Sequence, residues 1–123
     1  MWKQKIIETS RGAFEYFVKG KGEPLAITHF YMAFNENGNW FANPFTEHYQ
    51  VFLINVRGAG NSPTIEVDDQ MKLEEIILDL EAIREALHIP KWAGFCWTFN
   101  RWHACITIRC FKKTVFNKID MWL

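Results

Sequence analysis

The sequence predicts a layered α/β fold. Three observations carry this: a pair of strand-like segments opens the chain, strands then alternate with helical segments, and the most apolar strand, over residues 49–54, precedes one strongly amphipathic helix over 73–87. Strands in that order belong to one sheet joined by crossover connections, with helices packed on its faces.

Each element has a local reason. Residues 2–9 hold Ile6-Ile7 in a β-compatible stretch, and Ser10-Arg11-Gly12 is a turn signal. Residues 13–19 set Phe14, Tyr16, Phe17 and Val18 around Glu15, as a strand with one wet face would, so the two segments form a hairpin. Lys19-Gly20-Lys21-Gly22-Glu23-Pro24 is a second turn, and Leu25-Ala26-Ile27-Thr28 reads as a short buried strand. Residues 29–39 form a polar, aromatic loop with Asn37-Gly38 at its tip. Asn39 is placed to cap a short helix over 40–45, which Pro44 limits in length. The nearly continuous apolar run at 49–54 fits a central strand covered on both faces. Arg57-Gly58-Ala59-Gly60-Asn61-Ser62-Pro63 is a glycine-punctuated loop. Leu73, Ile76, Ile77, Leu80, Ile83 and Leu87 then follow helical spacing. Asp68 or Asp69 is available as its cap, Glu74 and Glu75 suit its positive end, and Glu81 and Glu85 fall on its wet side. Pro90 ends it, and Lys91-Trp92-Ala93 begins another strand. The order is β-β-β-α-β-α-β, with no internal repeat and no low-complexity tract.

Length and composition bound the function. A chain of 123 residues has room for one ordinary domain, and 49% apolar against 23% charged residues is a folded composition. Basic and acidic residues balance at 14 each, which argues against a nucleic-acid or polybasic membrane binder. No run approaches the roughly 20 apolar residues of a spanning helix. Met1-Trp2-Lys3-Gln4-Lys5 leads into only a short apolar pair, so no signal peptide is visible and the expected location is the cytoplasm.

The balance hides an asymmetry. Residues 1–93 are net acidic, whereas residues 94–123 carry five basic residues and one acidic. Cys96, Cys105, Cys110 and three of the six tryptophans lie in that last stretch. Two units are therefore expected: a partial domain over 1–93 and an aberrant tail over 94–123. About 30 residues rarely make a second domain without staples.

Single motifs carry little chemistry. Gly58-Ala59-Gly60 lacks the third glycine of the Rossmann fingerprint and no Walker lysine follows, so a tight turn is the simpler reading and no cofactor is expected. Cys96, His103, Cys105 and Cys110 are spaced C-x6-H-x-C-x4-C, without the short paired knuckles of structural zinc sites, so no metal is expected either. Cys96 or Cys105 with His103 lacks an orienting third group for nucleophilic catalysis, and ordinary thiols are the simpler reading.

In combination the motifs are more specific. A hairpin, a strand ending in His29, a strand followed by R-G-x-G-x-S, a helix and another strand together resemble the N-terminal half of the α/β-hydrolase fold, nearest to its proline-iminopeptidase-like members. Leu25-Ala26-Ile27-Thr28-His29-Phe30 stands where those proteins carry an apolar strand ending in H-G. Leu53-Ile54-Asn55-Val56-Arg57-Gly58-Ala59-Gly60-Asn61-Ser62 matches their D-x-R-G-x-G-x-S turn, and residues 79–87 match the helix that leads to the nucleophile strand. The resemblance covers residues 3–93. It implies an initial β-hairpin followed by parallel strands with crossover helices, as an incomplete sheet. It also implies an oxyanion loop at His29, Phe30 and Tyr31, a family turn at Arg57, Gly58, Gly60 and Ser62, and a small-molecule or peptide substrate in the intact family. Phe30 replaces a glycine and Asn55 an aspartate of the family pattern.

The nucleophile elbow G-x-S-x-G of this superfamily is absent from the sequence. Where it belongs stands Gly94-Phe95-Cys96-Trp97-Thr98-Phe99-Asn100-Arg101-Trp102-His103-Ala104. Read one nucleotide later, Trp97-Thr98 and Trp102-His103 each force a glycine, because Trp has the single codon TGG. Phe99-Asn100 allows only Leu or Ser, and Cys96-Trp97 only Val or Ala. With permitted codons the shifted stretch reads G-F-A-G-H-S-T-G-G-M-L, which contains G-H-S-T-G. A frameshift would also explain the change in composition. The alternative is a genuine divergent tail, with a hairpin through residues 104–111.

Triad acid and histidine follow the nucleophile in this superfamily. A chain ending at Leu123 is expected to lack them, and His103, inside the suspect segment, does not inherit the role. The expected product is a truncated serine-hydrolase relative without activity, open at the apolar edge of its last parallel strand and so prone to self-association. A small non-catalytic α/β interaction module is the alternative, and a metal or thiol site in the tail a third reading.

Overall fold

In the computed structural model, residues 2–29, 32–67, 72–99, 102–108 and 119–122 are described. Within them, seven strands form one mixed sheet: β1 (Lys3–Thr9), β2 (Gly12–Lys19), β3 (Glu23–His29), β4 (Tyr49–Ile54), β5 (Gly94–Phe99), β6 (Trp102–Ile108) and β7 (Ile119–Trp122). Their order across the sheet is β1-β2-β4-β3-β5-β6-β7. β1 and β2 make the expected hairpin, and β2 lies antiparallel to β4. β3 runs parallel to both β4 and β5, so it sits in the middle of the parallel part.

The alternation of side chains along β3 and β4 explains why both runs are almost wholly apolar. Ala26, Phe52 and Ile54 face one core, together with Phe14, Tyr16, Trp92 and Phe95. Leu25, Ile27, Val51 and Leu53 face the other, with Trp2, Phe17 and Phe34. Each strand therefore fills two hydrophobic layers from successive residues.

The one α-helix among the described residues, α1 (Leu73–Ala86), covers the first layer. Ile76, Ile77, Leu80 and Ile83 are almost completely buried, each contributing roughly 1.5–3 kcal/mol. The start of α1 has Lys72 at the cap position, whose side chain does not cap the helix, and Asp68 and Asp69 lie outside the described residues. Its end is defined by geometry. His88 takes a left-handed φ of 60°, its N–H donates to Glu85 O, and Ile89 N–H donates to Arg84 O. This pair of bonds satisfies carbonyls that the last turn would otherwise leave open.

Several expectations change. The helix expected over 40–45 is instead a 3-10 turn, Asn43–Glu47. Pro44 at its start has no N–H to give, and the segment is too short for a full α-turn ladder. Its cap position is Ala42, not Asn39, whose Oδ1 instead accepts from the N–H groups of Phe41 and Ala42 in the turn before it. Glu81, expected on the wet side of the helix, is buried, because Arg84 reaches it at 2.8 Å and also donates to the carbonyls of Ile89 and Pro90. Burial raises the Glu81 carboxyl pKa and the Arg84 partner offsets part of that. Glu15, also expected on a wet face, is buried. The apolar edge expected beyond β5 is covered: β6 pairs antiparallel with β5, and β7 with β6. Backbone groups on an open strand edge need partners, and residues 102–108 supply them.

Candidate active site

β3 ends at His29. His29 is buried, and burial lowers its pKa. Its Nδ1 accepts the N–H of Met32 at 3.0 Å, which places this nitrogen as an acceptor. The Phe34 ring meets the imidazole edge-on, with centroids 6.5 Å apart. Around them lies a cleft of about 220 Å³ lined by His29, Met32, Ala33, Phe34, Asn39 and Trp40, among others. Met32 and Trp40 are exposed apolar side chains at its rim. Phe30 and Tyr31, expected as the rest of an oxyanion loop, lie outside the described residues.

The turn after β4 is built differently. Arg57 and Ser62 are buried, and none of its residues lines the cleft. Arg57 is buried, pairs with Asp79 of α1 at 3.1 Å, donates to the Arg11 carbonyl at 2.8 Å, and lies 5.4 Å from the centre of the Phe14 ring. Gly58 N–H closes the turn onto Pro63 O at 2.7 Å. Gly60 has a φ of 52°, and a Cβ there would collide with Glu15 Oε1 and lie 2.5 Å from Asn55 Nδ2. Ser62 Oγ accepts from Glu15 N–H and donates to Asn55 O. These residues fasten β2, β4 and α1 to one another. The hydrogen bonds just named all run within the fold, an arrangement unlike a phosphate cradle.

Glu15, Asn55, Asn61 and Asp79 are the residues that motif reading missed. The signal was a carboxylate amid four aromatic or aliphatic neighbours in β2, which needs partners once both faces are covered. Burial alone would raise the Glu15 pKa, but hydrogen bonds from Asn61, Gln4 and Asn55 outweigh it and hold the carboxyl below the ordinary range.

Register fixes what stands beside His29. Its partner on β5 is Thr98, so position 99 is one step beyond the level of His29 in the neighbouring parallel strand. Cys96, weighed as a nucleophile, is disulfide-bonded and so has no thiolate to offer in this form. His103 and Cys105 lie on β6, and Cys110 is outside the described residues. Among the described residues no cluster of His, Cys, Asp and Glu could hold a metal, and no helix is long and apolar enough to cross a membrane.

The chain is similar to an alpha/beta fold family hydrolase from Bacillus anthracis str. Sterne, at 58% identity and a TM-score of 0.74, over 77% of this chain and 34% of that one. The chain carries the N-terminal part of the α/β-hydrolase fold. More distant structures share this hydrolase architecture alone. They include E-2-(acetamidomethylene)succinate hydrolase (13% identity, TM-score 0.60, 75% of this chain and 34% of that one) and the serine hydrolase CarC of carbazole degradation (18%, 0.59, 81% and 38%). No family model matches. The chain spans about a third of the length of these hydrolases. In hydrolase terms the first five strands, in the order β1-β2-β4-β3-β5, and α1 are the shared part, and His29 stands at the end of β3, the middle strand of its parallel portion.

Proposed function

We propose that residues 1–93 are the front of a serine hydrolase acting on peptide or ester bonds, proline-iminopeptidase-like in kind, and that residues 94–123 are read out of the frame that encodes its nucleophile. One observation carries this reading. With permitted codons the shifted frame reads the serine of G-H-S-T-G at position 99, and the register of β5 against β3, with His29 opposite Thr98, supports a nucleophile one step past the level of His29. A nucleophile elbow needs a sharp turn at the end of a parallel strand, with backbone donors of a neighbouring loop within reach of the developing oxyanion. In this reading the loop after β3 provides them.

As translated, the chain has no G-x-S-x-G, so this reading assigns it no hydrolase turnover. The test compares two proteins with a fluorophosphonate probe, which labels activated serines. The 123-residue chain should remain unlabelled. A frame-restored version, extended along the shifted frame, should label at position 99 and hydrolyse aryl esters and N-terminal proline amides. Labelling of the original chain, or none of the restored one, would refute the proposal; ester turnover without proline preference would remove only the peptidase part.

The pairing of β6 and β7 onto β5 favours a second reading, a small non-catalytic α/β module. Capture of one defined protein by the 123-residue chain, with no labelling of the restored one, would support it. In either case the strand edge offered for self-association is that of β7, since β6 covers β5 and β1 is guarded by Lys3, Lys5 and Glu8.

A further inference from the structure

The turn that follows β4 is accounted for neither by ligand binding nor by the cleft, yet it is the most motif-like stretch of the chain. Its purpose becomes visible from Asn55, which is almost completely buried. Asn55 Oδ1 accepts the N–H of Phe34 at 2.7 Å, and its Nδ2 donates to Glu15 Oε1 at 2.7 Å. Phe34 belongs to the loop that walls the cleft and packs against His29. One amide group thus ties the cleft loop to a buried carboxylate on β2.

We infer that Asn55 and Glu15 form a clasp that positions the cleft loop, and that the Gly60-Asn61-Ser62 turn is shaped to fit around it. Glu15 also accepts from Gln4 Nε2 and from both the backbone and side-chain nitrogens of Asn61. Ser62 bridges the Glu15 N–H and the Asn55 carbonyl, while Asn55 N–H donates to Glu15 O at 3.0 Å. Gly60 is required because a Cβ would strike both members of the pair. The chemistry of the pair is directional. Position 55 must present an acceptor to Phe34 and a donor to Glu15, which an amide does and a carboxylate does not. An aspartate here, as the family pattern has it, would face a second carboxylate oxygen across 2.7 Å with no proton between them. The asparagine at 55 and the glutamate at 15 are therefore two halves of one arrangement, and Asn55 is a positioning residue for the loop after β3.

The clasp does not depend on the hydrolase reading, because its test uses no turnover. Asn55→Asp, Glu15→Gln and the double variant are made in the full 123-residue chain. Each is followed by urea unfolding at neutral pH and by hydrogen exchange at the Phe34 amide. Asn55→Asp alone should raise the unfolding equilibrium constant by at least about tenfold and expose the Phe34 amide to exchange. Adding Glu15→Gln should restore part of both, because the amide introduced on β2 can donate to the carboxylate introduced after β4. The inference is overturned if the double variant is no more stable than Asn55→Asp, including the case in which neither folds. It is equally overturned if stability returns while the Phe34 amide stays unprotected.

Discussion

Replacing Asp79 with alanine removes the carboxylate that faces a buried guanidinium. Asp79 and Arg57 lie 3.1 Å apart with side chains only 6% and 9% exposed, so both charges are shielded from water. Arg57 keeps its bond to the Arg11 carbonyl and its contact with Phe14, but its Nε already has no hydrogen-bond partner among the described residues. Removing one partner of a buried pair costs about 3–5 kcal/mol, because the other charge is left unpaired. The second pair, Arg11 with Asp79 at 2.6 Å, is a third exposed on the arginine side and adds at most about 1 kcal/mol. A loss of about 4 kcal/mol, with a urea slope near 2 kcal/mol per molar, moves the unfolding midpoint down by roughly 2 M. Circular dichroism during urea titration measures this directly. The double variant Arg57→Leu with Asp79→Leu should lose much less, since no charge is stranded. If Asp79→Ala costs under about 1 kcal/mol, or the double variant loses as much as the two single changes together, the pair is not the buried tie described.

Three further outcomes are expected. Gly60→Ala should destabilise by about 1–2 kcal/mol from its left-handed backbone alone, with more from the contact with Glu15 and Asn55; an unchanged urea midpoint would contradict this. His29 should titrate below its ordinary 6.5 by NMR, so the stability it supports is complete above that value and lost as pH falls through the lower folded value; a midpoint above 6.5 would contradict the burial argument. Light scattering after size exclusion should show self-associated chain, and a single monomer peak across micromolar concentrations would remove the strand-edge proposal.

Much of the fold was legible in local chemistry. The two-faced burial of β3 and β4 follows from uninterrupted apolar residues, and α1 from the spacing of Ile76, Ile77, Leu80 and Ile83. What period and propensity could not carry were partners distant in sequence. Glu15 looked like a wet-face residue because nothing in β2 announces that Asn55 and Asn61, forty or more positions away, would close over it. Glu81 looked exposed because its cover comes from Arg84 and the chain reversal at Pro90. The edge beyond β5 looked open because a hairpin was expected, as the alternative only, through residues 104–111, whereas the pairing strand is 102–108. For the site, His29 was legible as a strand-end residue, whereas the Arg57–Ser62 turn proved to be inward fastening, which a motif alone does not reveal.

The nucleotide sequence of codons 94 to 123 tests the central claim most directly. If an intact hydrolase continues in the neighbouring frame, Phe99 must be encoded by TTC, so that the shifted codon is TCA for serine. Arg101 must end in G, so that the next shifted codon but one is GGT for glycine, and the same frame must run on to supply the acid and histidine of the triad. A TTT codon at Phe99 would place leucine where the nucleophile belongs, and this chain would then not be the front of a hydrolase read out of frame.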